Sequence, residues 1–107
     1  MKLGSFEELV LLAVGSLGDD AYGVAIKETL RKSVGKNPSI GALHSALYRL
    51  EDKGYVTSHE GGATTERGGR RKKYYELTGF GMKTLREADA MRMSLVRHIP
   101  KLKLSNR

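Results

Sequence analysis

The fold is decided by residues 39–56, which read SIGALHSALYRLEDKGYV. The apolar positions of this stretch recur at spacings of three and four residues, namely Ile40, Leu43, Leu47 and Leu50. Such spacing places them on one side of a helix. Ser39 precedes this run as a favoured N-cap, and Gly54 follows it where a left-handed residue ends a helix in a Schellman motif. We therefore predict a helix over residues 40–53 that buries these four side chains.

Helix 1 is predicted over residues 5–17, where apolar residues again have helical spacing. Ser5 with Glu8 forms its predicted capping box. Because glutamates come directly before the apolar stretch, this N-terminus is a poor signal peptide. The chain also lacks a run of about 18 apolar residues, so no membrane span is predicted. A cytoplasmic protein is the default expectation.

Helix 2 is predicted over residues 21–34 and ends at Gly35. Asp19 or Asp20 is its predicted N-cap. Its predicted buried side consists of Ala21, Tyr22, Val24, Ala25, Ile26 and Leu30. Only a short turn then separates helix 2 from helix 3.

A β-hairpin is predicted after helix 3, with strands over residues 55–59 and 72–77 and a glycine-rich loop between them. Side chains alternate along a strand, so only one of Tyr74 and Tyr75 is expected to face the core. Two helices, a short turn, a third helix and a hairpin are the order of a winged helix-turn-helix. The predicted fold is therefore mainly α with a small β-hairpin.

The last helix is predicted from its cap Thr78 to about residue 98, and it carries apolar residues on two sides. A domain this small cannot bury both sides, so we predict a homodimer. The predicted dimerisation residues are Leu85, Ala88, Met91, Leu95 and Ile99, and Leu102 continues the seam. The alternative is a helix packed on its own domain with exposed methionines. We thus divide the chain into a winged helix-turn-helix domain, 1–78, and a dimerisation helix with tail, 79–107.

The 107 residues carry a net charge of +7, with 19 Lys+Arg against 12 Asp+Glu. Residues 1–54 contain seven residues of each sign, whereas residues 55–107 contain twelve basic and five acidic residues and hold the whole excess. Such a one-sided charge favours a polyanionic partner, nucleic acid before an anionic membrane surface. Because cysteine is absent, disulfides and cysteine zinc sites are excluded. Neither a cofactor nor a metal is predicted.

The outward side of helix 3 carries residues suited to base edges and phosphates: Gly41, His44, Ser45, Tyr48 and Arg49. Ser39 and Gly41 lie at the helix N-terminus, where free backbone N–H groups favour a phosphate. The wing adds a basic cluster of Arg67, Arg70, Arg71, Lys72 and Lys73, and arginine suits the narrow minor groove. A solvated basic loop, and a Tyr48 that folds over the core, are the alternative interpretations.

The sequence resembles the PadR-type transcriptional regulators over about residues 4–85. The matching blocks are FEELVLLA (6–13), AYG (21–23), SIGAL (39–43), LEDKGYV (50–56), ERGGRRKKYY (66–75) and LT (77–78). The most diagnostic is the Gly-Gly-Arg-Arg wing followed by paired tyrosines. With one terminal helix, the chain resembles the short members of the family. It departs from the family pattern at His44, where Tyr is common, and at Gly79, where Pro is usual and where we expect a looser junction.

The resemblance implies a dimeric repressor at an inverted-repeat operator, with helix 3 in the major groove and the wing on the backbone or minor groove. The DNA contacts that it implies fall on Tyr22, Ser39, Gly41, His44, Arg70, Arg71 and Tyr74. Many family members respond to small molecules, and Phe80, Met82, Met91 and Met93 are adaptable apolar surfaces that suit an unidentified effector. Simple packing of the dimer is the favoured explanation of those methionines.

Two other function classes fit the sequence less well. A basic protein that binds RNA or nucleic acid without sequence preference fits the charge, but the seven aromatic residues show no interleaving with glycine of the kind that base-stacking sheets use. An enzyme is disfavoured because the sequence contains no phosphate loop, no nucleophile elbow and no His-Glu-x-x-His motif.

Overall fold

The computed structural model describes residues 3–61 and 72–100, and within them the chain forms four α-helices and one two-stranded hairpin. The elements are α1 Ser5–Leu17, α2 Gly23–Thr29, α3 Ile40–Asp52, β1 Val56–Glu60, β2 Lys73–Leu77 and α4 Gly79–Arg97. Their order confirms the predicted fold class, a winged helix-turn-helix followed by a terminal helix. No helix in these ranges is long and apolar enough to cross a bilayer.

α1 has the predicted bounds, but its predicted N-terminal cap is wrong by one residue. Gly4 is the N-cap, and its backbone N–H donates to Oε1 of Glu7 at 3.1 Å. The carboxylate predicted to accept from the N-cap residue is that of Glu8. Its carboxylate instead binds Arg92 of α4, a partner 84 residues away in sequence.

α2 begins two residues later than predicted, at Gly23, and neither Asp19 nor Asp20 caps it. Both aspartates lie in a 3₁₀ turn, Gly18–Asp20. The physical reason lies in the hairpin. The backbone N–H of Tyr75 donates to Ala21 O at 2.8 Å, and Tyr22 is extended and forms a bridge with Tyr74, so residues 21 and 22 are bonded to β2 and cannot begin the helix.

At its other end, α2 continues as a π-helical turn, Leu30–Val34, and stops at Gly35 as predicted. Ala21, Ile26 and Leu30 are buried, but Val24 is 63% exposed and therefore not part of the predicted buried side.

α3 ends at Asp52, one residue before the predicted boundary, and its caps confirm the sequence analysis. Ser39 Oγ accepts from the N–H of Ala42 at 3.1 Å. At the other end, Tyr55 N–H donates to Leu50 O and Gly54 N–H donates to Glu51 O, which is the Schellman pattern. Gly54 has φ of 87°, a conformation that glycine adopts without steric cost.

The hydrophobic core lies between α1, α2, α3 and the base of the hairpin. Its largest fully buried side chains are Val10, Leu11, Val14, Ile26, Leu30, Leu43, Leu47, Leu50, Tyr55 and Val56. Burial of each aliphatic side chain in this set contributes roughly 1.5–3 kcal/mol to the free energy of unfolding. Ile40 was predicted to belong to this set but is 49% exposed, because it lines an open cleft between the first turn of α3, the start of α2 and β2.

β1 and β2 pair antiparallel, with Val56 opposite Leu77 and Ser58 opposite Tyr75. Tyr75 is 8% exposed and belongs to the core, whereas Tyr74 is only half-buried. This confirms that one tyrosine of the pair faces inward and settles which one. The predicted loop between the strands falls largely on residues 62–71, outside the described residues.

α4 starts against the hairpin base. Thr78 Oγ1 accepts from Gly81 N–H at 2.9 Å and donates to Gly54 O at 2.7 Å, so the junction that Gly79 was expected to loosen is held by hydrogen bonds. Gly81 is buried against the carbonyl of Tyr55, where a Cβ would lie only 2.2 Å from that oxygen. The structure thus gives this glycine a packing role that the sequence did not reveal.

Candidate nucleic-acid interface

The outward side of α3 is open to solvent along its whole length. Gly41, His44, Ser45 and Tyr48 are all exposed, and Tyr48 is 71% exposed. Tyr48 therefore does not fold over the core. Since Leu43, Leu47 and Leu50 fix the opposite side of the helix in the core, the orientation of these polar side chains is determined by packing.

Aromatic rings and a lysine form a cluster beside α3, where Tyr22, extended directly before α2, meets β2. The Tyr22 and Tyr74 ring centroids are 5.5 Å apart in an edge-on arrangement, and His59 stacks on Tyr74 at 5.8 Å. Lys72 Nζ lies 4.3 Å from the centroid of the Tyr22 ring, a distance typical of a cation–π contact. Predicted site residues from two separate blocks are thus brought together, Tyr22 from one and Lys72 and Tyr74 from the other.

A cleft of about 460 Å³ joins this cluster to α3. Its lining residues are Tyr22, Gly23, Val24, Ile40, His44, Lys72, Lys73 and Tyr75. His44 lies directly over Gly23, with Nε2 3.5 Å from the position that a Cβ of Gly23 would take. The predicted residues of helix 3 and the wing base therefore form one continuous surface.

Val24 and Ile40 belong to this surface, and the sequence analysis assigned both to the core. They have helical spacing relative to buried neighbours, so periodicity alone placed them inward. The signal that distinguishes them is their position in the first turn of their helices. A first turn can extend beyond the edge of a core whose centre is set by other elements.

Arg49 has a partner within its own chain. Its Nε donates to Glu7 Oε2 at 2.6 Å, and Lys53 Nζ lies 3.2 Å from Oε1 of the same carboxylate. The hydrogen bond from Arg49 is the main cause of a pKa for Glu7 that lies below its ordinary value of 4.5, although burial opposes it. Arg49 was predicted from sequence as a DNA contact; the structure shows it in this ion pair with its side chain 47% exposed.

The basic side of the wing is only partly within the described residues. Lys72 and Lys73 are exposed at the start of β2. The remaining predicted wing residues, Arg67, Arg70 and Arg71, lie outside the described residues. Ser39 is exposed at the α3 N-terminus, although its hydroxyl is used as the helix cap.

The predicted dimerisation residues fall into two groups on α4. Met91, Leu95 and Ile99 are 65%, 68% and 46% exposed, so they form an apolar strip. Ala88 is half-buried. Leu85 is only 9% exposed and packs in the core of its own chain, which removes it from the predicted seam. Leu102, the predicted continuation of the seam, lies outside the described residues.

Comparison with known proteins agrees with this architecture. The sequence model of the transcriptional regulator PadR-like family matches residues 10–87. No curated protein matches the sequence.

Solved structures show the same fold over nearly the whole chain. A PadR family transcriptional regulator from Eggerthella lenta is 31% identical, with a TM-score of 0.68 over 92% of this chain and 83% of that chain. A PadR family regulator from Clostridium difficile is 25% identical, with a TM-score of 0.70 over 94% and 99%. Bacillus subtilis PadR, solved in complex with operator DNA, is 22% identical and shares the fold with a TM-score of 0.66 over 91% and 50%. The chain therefore belongs to the PadR-like family of transcriptional regulators.

Proposed function

We propose that this regulator is a repressor that binds an inverted-repeat operator in duplex DNA as a homodimer. The observation that carries the proposal is the continuous surface formed by the exposed side of α3, the cleft and the cluster of Tyr22, Lys72 and Tyr74. It presents hydrogen-bonding, aromatic and cationic groups on one side of the domain. The operator complex of Bacillus subtilis PadR, a protein of the same fold, supports duplex DNA as the partner.

α3 is proposed to lie in the major groove, where an α-helix fits and base edges are distinguishable. His44, Ser45 and Tyr48 point to solvent and supply the polar contacts. The backbone amides near Ser39 and Gly41 are placed for a phosphate. The exposed apolar pair Val24 and Ile40 is suited to contact with the thymine methyl group.

The wing and its base are proposed to contact the sugar-phosphate backbone and the minor groove. The hydroxyls of Tyr22 and Tyr74 and the ammonium of Lys72 are donors of the kind that position a protein on phosphates. Arg67, Arg70 and Arg71 extend this role because the wing holds most of the basic excess of the second half of the chain. Arg49, tied to Glu7, is proposed to contribute less than these residues.

Homodimerisation is proposed to occur through the apolar strip of α4, namely Ala88, Met91, Leu95 and Ile99. Large apolar side chains that are more than half exposed in one chain gain most from burial against a second copy. A two-fold axis through α4 would place the two recognition helices about one DNA turn, roughly 34 Å, apart. We propose that the protein has no catalytic activity and is located in the cytoplasm. Phe80, Met82 and Met93 are proposed as candidates for contact with an unidentified effector.

Selection of duplexes from a random pool by the purified protein, at near-physiological salt, tests the proposal. We expect recovery of an inverted repeat whose half-site spacing corresponds to the dimer. Recovery of no motif, with binding that disappears as salt is added, would contradict sequence-specific regulation by this surface. It would favour the alternative of a nucleic-acid-binding protein without sequence preference, to be compared on structured RNA at equal salt.

A further inference from the structure

Two adjacent glutamates in the first turn of α1 are nearly buried and bind different helices. Glu7 and Glu8 are 7% and 8% exposed. Carboxylates are almost never buried unless they are paired. Glu7 binds Arg49 and Lys53 of α3, whereas Glu8 binds Arg92 of α4. One turn of α1 therefore holds both the helix proposed to contact DNA and the helix proposed to form the dimer.

The Glu8–Arg92 contact fixes orientation as well as distance. Arg92 Nη1 donates to Glu8 Oε2, and Nη2 donates to Oε1 at 2.9 Å. Two parallel hydrogen bonds between a planar guanidinium and a planar carboxylate restrict the rotation of one group against the other. A lysine at this position would preserve the charge but not the restriction.

Between its two points of attachment, α4 is separated from α1 by an open groove of about 390 Å³. The first attachment is the buried start of the helix, Gly81 and Leu85. The second is Arg92, seven residues and about 10 Å further along the axis. Leu12 of α1 and Asp89 of α4 line the groove, and both are exposed. Apolar packing thus fixes where α4 begins, and the Glu8–Arg92 pair, in which the arginine side chain is 61% exposed, joins α4 to α1 further along the helix.

We propose that Glu8 and Arg92 are positioning residues that set the angle of α4, while Glu7 seats α3 on the same turn of α1. Resting on the proposed function, this implies that the ionic connection α3–Glu7–Glu8–α4 determines the half-site spacing that the dimer accepts. From Leu85 to Arg97, α4 extends about 18 Å. A tilt of about 10° displaces its end by about 3 Å, close to one base-pair step of about 3.4 Å.

The first test requires no DNA. The chain contains no cysteine, so spin labels can be attached to cysteines introduced at exposed Lys36 and Arg97. Labelled protein diluted in an excess of unlabelled protein reports the distance within one chain. We expect Arg92→Gln and Glu8→Gln to shift or broaden this distance by about 3 Å, since the end of α4 is then free to tilt. Arg92→Lys should lie between these variants and the parent protein.

Arg86→Gln is the matched control. Arg86 is exposed, lines the same groove and forms no ion pair with another described residue. Its substitution therefore removes the same charge as Arg92→Gln but leaves the Glu8–Arg92 pair in place. We expect its distance distribution to equal that of the parent. An unchanged distribution in Arg92→Gln would overturn the proposal. Loss of the dimer in Arg92→Gln would also overturn it, because the side chain would then hold the partner rather than orient α4.

The second test uses three versions of the selected operator. The spacer between the half-sites has the selected length in one, and it is one base pair shorter or one base pair longer in the others. The parent and Arg86→Gln should lose about tenfold in affinity at the altered spacings. Arg92→Gln should lose less than about threefold, while its preferred half-site sequence stays the same. If the parent protein selects no inverted repeat, the proposed function fails, and the distance measurement still decides whether the ion pair orients α4. Equal spacing profiles of the parent and Arg92→Gln would contradict the link to operator spacing.

Discussion

Glu7 is the residue at which local folding and tertiary structure are most closely joined. Its carboxylate accepts from Gly4 N–H at the start of α1 and also binds Arg49 and Lys53 of α3. A buried carboxylate with several donors favours its charged form. Its pKa is therefore lower in the folded protein than in the unfolded chain, with the Arg49 hydrogen bond as the first cause.

This lowered pKa predicts a pH-dependent stabilisation. A group whose pKa is depressed by folding stabilises the protein above its unfolded value, here 4.5, and this contribution is lost as the pH falls through the folded value. Glu7→Gln should therefore be less stable than the parent at pH 7, and the difference should shrink below pH 4.5. Urea denaturation at pH 7, 5 and 3.5 measures this difference in the free energy of unfolding. A difference that is constant over this range would contradict the assignment. Glu28→Gln serves as the comparison: the pKa of Glu28 is also lowered, first by its hydrogen bond from Arg31, but the pair is exposed, so its pH-dependent difference should be smaller than that of Glu7→Gln.

Gly81 gives a second prediction at this scale. A Cβ on Gly81 would lie 2.2 Å from Tyr55 O, an oxygen that also accepts from Thr78 N–H. Backbone cannot yield as a side chain can, so Gly81→Ala should cost roughly 2–3 kcal/mol and lower Tm by about 10 °C. Gly79→Ala is the matched control. Its Cβ would meet nothing within 4 Å, and the change should be neutral or stabilise by up to about 1 kcal/mol. Thermal unfolding at one protein concentration compares them, and equal Tm values would refute the packing role of Gly81.

At the scale of elements, the hairpin and the helices determine one another's limits. The predicted bounds of α1 and α3 agree with the structure to within one residue because apolar periods and the caps of α3 are local signals, although the N-cap of α1 is Gly4 instead of Ser5. The start of α2 does not, because Ala21 and Tyr22 are bonded to Tyr75 and Tyr74 of β2. That pairing joins residues more than fifty positions apart, and no local pattern encodes it. The same pairing brings Tyr22 to Tyr74 and so creates part of the candidate site.

The apolar strip of α4 predicts the oligomeric state. Leu95 is 68% exposed, so Leu95→Glu should not disturb the core of the chain. In a dimer it would bury a charge at the interface, and we expect the variant to sediment as a monomer with unchanged far-ultraviolet circular dichroism. Met93→Glu, on the other side of the same helix and 47% exposed, should remain a dimer. Identical sedimentation of the Leu95 variant and the parent would show that the strip is not the interface.

At the scale of the whole molecule, the charge distribution favours a nucleic acid as the partner. The neutral half contains α1, α2 and α3, whereas the basic half contains the hairpin and α4. Lys72 and Lys73 carry part of this charge to the edge of the α3 surface. Release of counterions by such a cluster provides affinity that does not depend on base sequence.

The wing therefore predicts a salt effect. Arg70→Gln with Arg71→Gln should weaken binding to operator and unrelated duplex alike, and it should lower the slope of log affinity against log salt by about 2. Removal of two exposed charges from α4, by Arg86→Gln with Arg97→Gln, should leave the slope nearly unchanged. Titrations at several salt concentrations compare these variants. An unaltered slope in the wing variant would exclude these arginines as phosphate contacts.

The sequence by itself determined the order of elements, the ends of α1 and α3, the family, and which segments carry the charge. These features depend on neighbours within a few residues, through caps, helical periods and composition. The tertiary structure decided that Tyr75 packs inward, that Val24 and Ile40 face a cleft, and that Leu85 belongs to the core. It also decided that Arg49 and Arg92 bind glutamates of α1. Each of these outcomes is settled by which distant segment packs against a residue, and a one-dimensional pattern does not contain that information.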